Sequence, residues 1–183
     1  EFFIGNFLIA GLTAMVPLLV GYYYYHILGV SGIETMNSDF YPFTEGSISN
    51  YTLLLTFAIS GFAFAMNLAR EIIKDMEDVE GDKKLRAKTV PIVLGIHKTK
   101  WIAGFFLSLT IIISTLIGLV YNSIPMVSMV PVFISAFLIL VCFILLVFSS
   151  SKGQFRTINQ LIKLAMIFGM LTPVYWRLIM IYG

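Results

Sequence analysis

Six of the ten acidic residues fall within twelve positions: Glu71, Asp75, Glu77, Asp78, Glu80 and Asp82. Basic residues are threaded among and after them as Arg70, Lys74, Lys83, Lys84, Arg86 and Lys88. Taking Asp75 as origin, a helix at about 100° per residue puts Glu71 at ~−40°, Asp78 at ~−60°, Asp82 at ~−20°, Lys74 at ~−100° and Asn67 at ~−80°. Asn67, Glu71, Lys74, Asp75, Asp78 and Asp82 therefore form one polar stripe, while Glu77 and Glu80 point away. Gly81 is the helix-weakening residue of the stretch and the expected place for a break before Asp82.

Carboxylates stacked along one face repel unless something neutralises them. A divalent cation does so economically. Mg²⁺ takes oxygen ligands, keeps several waters, and bridges one or two carboxylates to substrate phosphates. Lysines and arginines beside it would grip the remaining phosphate charge. Spacing alone is equally compatible with a plain solvated charged segment, because mixed-sign runs between membrane spans are common. An EF-hand does not fit: from Asp75, Asp78 or Asp82 neither the Gly at position 6 nor the Glu at position 12 is in place. Walker, HExxH and GxSxG patterns are missing from the sequence, and a single cysteine, Cys142, excludes multi-cysteine metal sites.

The elements that must position this stripe are membrane helices. The 183 residues are 58 % apolar and 12 % charged, against roughly 25 % charge in soluble chains, and mean hydropathy is +0.91. This excludes a disordered chain, a coiled coil and nearly any water-soluble globule. The net charge of +2 is too small to point to nucleic acid. Apolar runs of bilayer length, about 20 residues, predict spans at 4–25, 51–69, 101–121, 130–148 and 162–182. Strands alternating as in a barrel are missing, so the fold expected is an all-α polytopic transmembrane bundle forming a single transmembrane domain over 1–183.

The stripe continues the second span into a segment, 70–100, with eight basic residues, and three more lie at 149–163; the connections 26–50 and 122–129 hold none. The positive-inside rule makes the 70–100 side cytoplasmic. Tyr22–Tyr25, Tyr51, Trp101, Tyr121, Trp176 and Tyr182 read as interfacial aromatics, and Arg177, ~9 Å of helix rise from the end, as a snorkelling cation. Pro17 predicts a kink in the first span. Gly61 and Ala65 make a small-residue packing face. The chain opens Glu-Phe-Phe without Met or a secretory leader, and it is expected to be the carboxy-terminal portion of a longer one.

The string Arg70-Glu71-x-x-Lys74-Asp75-x-x-Asp78-x-Glu80-Gly81-Asp82, followed by Lys88-Thr89-x-Pro91-Ile92-x-x-Gly95, resembles the second aspartate-rich motif of the UbiA superfamily of intramembrane prenyltransferases. Its wording looks most like that of digeranylgeranylglyceryl phosphate synthases, and is similar to that of homogentisate and chlorophyll-type enzymes. The resemblance implies a nine-helix fold of which these spans are helices five to nine. Odd-numbered helices would then run from inside to outside, in agreement with the topology read from charge.

The resemblance further implies that Asp75, Asp78 and Asp82 are the catalytic carboxylates that hold Mg²⁺. Arg70, Lys74, Lys88 and Asn67 are then the contacts to a polyprenyl diphosphate. At Arg70, ~220° from Asp75, a structural or headgroup role stands equally beside that reading; at Asn67 a helix-packing amide does. The implied reaction is Mg²⁺-dependent prenyl transfer to a lipid precursor such as geranylgeranylglyceryl phosphate, with an aromatic acceptor as the alternative. A reading of another class is a non-catalytic cation-binding or transport bundle. A transporter would place ionisable residues at the bilayer midplane, whereas these charges sit at the mouth. The family's first aspartate motif does not occur in these residues; Asp39 stands alone in an outer connection. The other half of the metal cage is expected from a missing amino-terminal half. The site expected is an integral membrane one, in the cell (inner) membrane.

Overall fold

The computed structural model describes residues 3–30, 45–120 and 130–182. They are helical almost throughout: α1 (Ile4–Val30), α2 (Glu45–Lys84), α3 (Val90–Leu94), α4 (Ile96–Val120), α5 (Val130–Phe148) and α6 (Lys152–Tyr182). Four helical stretches, Ile4–His26, Leu53–Lys84, Ile96–Ile117 and Val130–Phe148, are long and apolar enough to cross a membrane. The expected fifth span at 162–182 lies within α6. The expectations at Asp39, Tyr121 and the connection 122–129, and those for the side chains of Tyr51, Trp176, Arg177 and Tyr182, fall outside the described residues.

The central element is α2. Its 40 residues rise ~60 Å, twice the hydrocarbon thickness of a bilayer, so the charged end must project beyond it. Gly81 does not break the helix. One glycine costs only about 1 kcal/mol against alanine, and three more helical residues follow before the end. The stretch expected as a connecting segment at 70–100 is therefore mostly helix.

Three neighbours pack on α2, and small residues let them approach. A Cβ on Gly21 of α1 would collide with the side chain of Thr56 on α2. Gly61 of α2 faces Ile113 of α4 at 3.6 Å from an ideal Cβ, and Gly169 of α6 faces Phe62 of α2 at 3.3 Å. Gly104 of α4 lies similarly against Phe143 of α5. Ser135 Oγ of α5 donates to the Ala165 carbonyl of α6 at 2.9 Å, which satisfies a buried hydroxyl between apolar helices. The core gathers on the carboxy-terminal half of α2 as Met66, Leu68, Ala69, Ile72, Ile73 and Met76, against Leu107, Ile139, Cys142, Leu146, Phe155, Ile158 and Ile162. Tyr22, Tyr23, Tyr24 and Trp101 are exposed, as interfacial aromatics require. The outward face of α1 is apolar, from Leu8 and Leu12 to Val16 and Leu19.

The second half of the motif is a connector. Arg86, at φ 54°, turns the chain out of α2, and the Ala87 N–H closes the turn on the Asp82 carbonyl at 2.9 Å. Thr89 opens α3, with Pro91 in its first turn, where a missing N–H costs nothing. Gly95 then reverses the chain into α4 at φ 82° and ψ 154°, a region almost confined to glycine. Its carbonyl accepts from the Thr99 hydroxyl at 2.8 Å. Val90 and Pro91 are buried. Gly95→Ala is expected to destabilise the fold by about 1–3 kcal/mol, read as a lower unfolding midpoint in denaturant. Gly153→Ala, in open space on the first turn of α6, is the control of opposite or no effect.

Candidate functional site

The stripe lies on the projecting end of α2, and its carboxylates have been given different partners. Glu71 is buried and holds the Arg70 guanidinium at 2.8 Å, with the Lys74 ammonium at 4.0 Å from its other oxygen. An acid neutralised in this way is a structural anchor rather than a spare ligand. Asp75 is half-buried. Its Oδ2 accepts from Asn6 Nδ2 of α1 at 2.7 Å, and it feels Asp82 and Glu71 as like charges and Lys74 as an opposite one. Asp78 and Asp82, both half-buried, have no hydrogen-bond or ion-pair partner among the described residues.

Glu77 was expected to point away from the stripe, and it does: its Oε2 lies 3.4 Å from Asn159 Nδ2 of α6. Two residues along a helix are about 200° of rotation. Asn6 bonding to Asp75 and Asn159 to Glu77 therefore put α1 and α6 on opposite sides of α2. The row Ala65, Leu68, Ile72 and Met76 is buried on a third side, that of α4. The remaining strip of α2, between α1 and α6, carries Arg70, Lys74, Asp78 and Gly81, none of them buried. Asn67 lies buried at the head of this strip and spends its amide on the Ala63 carbonyl at 2.9 Å.

The sequence-derived residues thus separate. Asp78 and Lys74, whose side chain is 50 % exposed, face the open strip. Asp75 borders it, and Asp82 follows one turn later. Arg70 is tied to Glu71 and is 26 % exposed in its side chain. Asn67 is engaged with its own helix. Lys88 is exposed in the connector beyond the helix end. Sequence reading did not single out Asn6 or Asn159. The signal at Asn6 was slight, a lone amide in an otherwise apolar helical run where a buried polar group must find a partner, and at Asn159, among Arg156, Thr157, Gln160 and Lys163, there was none.

Among the described residues no three His, Cys, Asp or Glu side chains converge on one point. The donor set is nevertheless one Mg²⁺ accepts: hard carboxylate oxygens one helical turn apart, beside an exposed ammonium and open space for water and phosphate oxygens.

The digeranylgeranylglyceryl phosphate synthase of Methanosphaera stadtmanae is 35 % identical over 125 residues, 68 % of this chain and 46 % of that protein. Those of Thermococcus gammatolerans and Pyrococcus furiosus are 38 % and 36 % identical over 62 % and 69 % of the chain, and 32 % and 38 % of their own lengths. The chain thus spans a third to a half of the length of these curated relatives. No solved structure matches it. The model of the UbiA prenyltransferase family matches residues 1–167, the whole stripe and its connector included, and the chain belongs to that family.

Proposed function

We propose that the protein containing this chain transfers a prenyl group from its diphosphate to a membrane-borne acceptor, geranylgeranylglyceryl phosphate first among them. The observation that carries this reading is the unpaired Asp78 beside the exposed Lys74, whose contact to Glu71 is long at 4.0 Å, on an open strip at the end of a membrane-length helix. The names of the relatives support the acceptor. Asp75, Asp78 and Asp82 are the residues that would hold Mg²⁺, joined by ligands from outside these residues. When bound, Mg²⁺ supplies charge neutralisation for the departing diphosphate.

In this reading Lys74 binds a diphosphate oxygen as a point charge. Asp78 and Asp75, through the Mg²⁺ they would hold, would orient the diphosphate so that the ester oxygen still bonded to the first prenyl carbon lies against positive charge. That C–O bond breaks and diphosphate leaves with the electron pair. The allylic cation is taken by the acceptor oxygen, which gives up its proton to the departed diphosphate as the new C–O bond forms. The apolar flanks of the neighbouring helices keep water from that cation. Arg70 acts through Glu71, holding the stripe's upper end, and Lys88 is a secondary contact. We place the stripe on the cytoplasmic side of the cell membrane, read 162–182 in α6 as a fifth span, and treat the chain as one transmembrane domain completed by an amino-terminal half.

The test uses the full-length protein in detergent or nanodiscs with geranylgeranyl diphosphate and Mg²⁺. Geranylgeranylglyceryl phosphate is expected to be prenylated at least tenfold faster than homogentisate or 4-hydroxybenzoate. The reverse preference moves the protein to an aromatic acceptor. Turnover of neither, with divalent cation bound all the same, leaves a non-catalytic cation-binding bundle.

A further inference from the structure

We propose that Asn6 is a positioning residue for Asp75: its amide, reaching across from α1, fixes which carboxylate oxygen faces the open strip. The inference rests on the metal–diphosphate reading above and adds to it a residue from another helix. Asn6 and Asp75 are 69 positions apart in sequence and bonded at 2.7 Å, a charge-assisted distance.

Three features separate this bond from ordinary helix packing. The hydroxyl of Thr13, exposed on the same helix, is satisfied by its own backbone, at 2.8 Å from the Ala10 carbonyl. The Asn6 amide instead leaves its helix for a carboxylate. Next, the two nearest cations are drawn to Glu71, Arg70 at 2.8 Å and Lys74 at 4.0 Å, so the Asn6 amide is the only hydrogen-bond donor to Asp75 among the described residues, Lys74 acting on it only as a nearby opposite charge. Finally, the donor is neutral. A lysine or arginine at that place would cancel the carboxylate's charge and compete with a cation, whereas an amide pins the rotamer, occupies Oδ2, and leaves Oδ1 and the full negative charge available. Glu71 shows the contrast: it is buried, doubly approached by cations, and structural.

A partner that orients a ligating group affects metal affinity by about 10–100-fold. The experiment is a Mn²⁺ titration of the full-length protein with geranylgeranyl diphosphate, followed by electron paramagnetic resonance, alongside an unfolding midpoint. Asn6→Ala and the near-isosteric Asn6→Leu are both expected to weaken Mn²⁺ binding 10- to 100-fold while diphosphate binding without metal is unchanged. Wild-type Mn²⁺ affinity in the folded fraction of both variants, with or without a lower midpoint, overturns the proposal and leaves Asn6 as a joint between α1 and α2. Asp78→Ala separates this failure from that of the underlying reading. If it loses Mn²⁺ while the Asn6 variants do not, only the role of Asn6 falls. If the wild-type protein binds no Mn²⁺, the metal reading and this inference fall together.

Discussion

Asp78→Ala in the full-length protein is expected to lower Mg²⁺-dependent release of diphosphate by ~10³-fold, about 4 kcal/mol of transition-state stabilisation, and to leave the fold intact. The second half of that expectation follows from the surroundings of Asp78. It has no hydrogen-bond or ion-pair partner among the described residues and faces the open strip, so its truncation orphans no buried group. Surface changes of that kind stay within about 0.5 kcal/mol. The first half follows from charge. An unpaired carboxylate between Asp75 and Asp82, one helical turn from each, is unfavourable in the empty protein, and that cost is recovered only when a cation arrives. Turnover within tenfold of wild type, in protein with an unchanged unfolding midpoint, would remove Asp78 from the metal site. Asp75→Ala is the less clean substitution, because it strands the Asn6 amide.

The contrast between Asp78 and Glu71 also marks what sequence could deliver. Both lie on the stripe by helical phase, and phase is a local property: α2 runs unbroken through it, and the angles hold. Which acid is spent on structure and which is free depends on side-chain reach. Arg70 is off the stripe by rotation, yet its long side chain curls to its neighbour Glu71 at 2.8 Å. Periodicity places Cβ atoms, not the ends of flexible side chains. The same limit hid Asn6 and Asn159, whose partners are 69 and 82 positions away. Nothing local tells an asparagine which helix will answer it, whether it stands alone in an apolar run, as Asn6 does, or among polar neighbours, as Asn159 does. The connector was half legible. Lys88-Thr89-x-Pro91-Ile92-x-x-Gly95 stood out as part of a motif, and its proline and glycine carry the geometry of a reversal between α2 and α4. The helix runs through Gly81, where sequence left a break open, because a single glycine near a helix end is too small a penalty to stop a helix already anchored along its buried side.

Lys74→Ala is the second large effect. It is expected to raise KM for the prenyl diphosphate about 10- to 100-fold and to change KM for the acceptor less than threefold, since one charge-assisted hydrogen bond to phosphate is worth about 1.5–3 kcal/mol. Of the cations on the stripe, Lys74 is the one exposed on the open strip, and its contact to Glu71 is long, 4.0 Å, against 2.8 Å for Arg70. Moving Lys74 from Glu71 to an incoming phosphate therefore costs little, and Glu71 keeps Arg70 when it goes. The same asymmetry predicts opposite signatures for the two cations. Arg70→Ala leaves a buried carboxylate nearly alone and is expected to cost stability as well as activity, whereas Lys74→Ala costs binding alone. An ammonium is enough at a point-charge contact, so Lys74→Arg is expected to recover most of the lost affinity. If Lys74→Ala raises KM for the acceptor instead, the ammonium belongs to the acceptor side of the strip, and the phosphate of geranylgeranylglyceryl phosphate becomes the anion it meets.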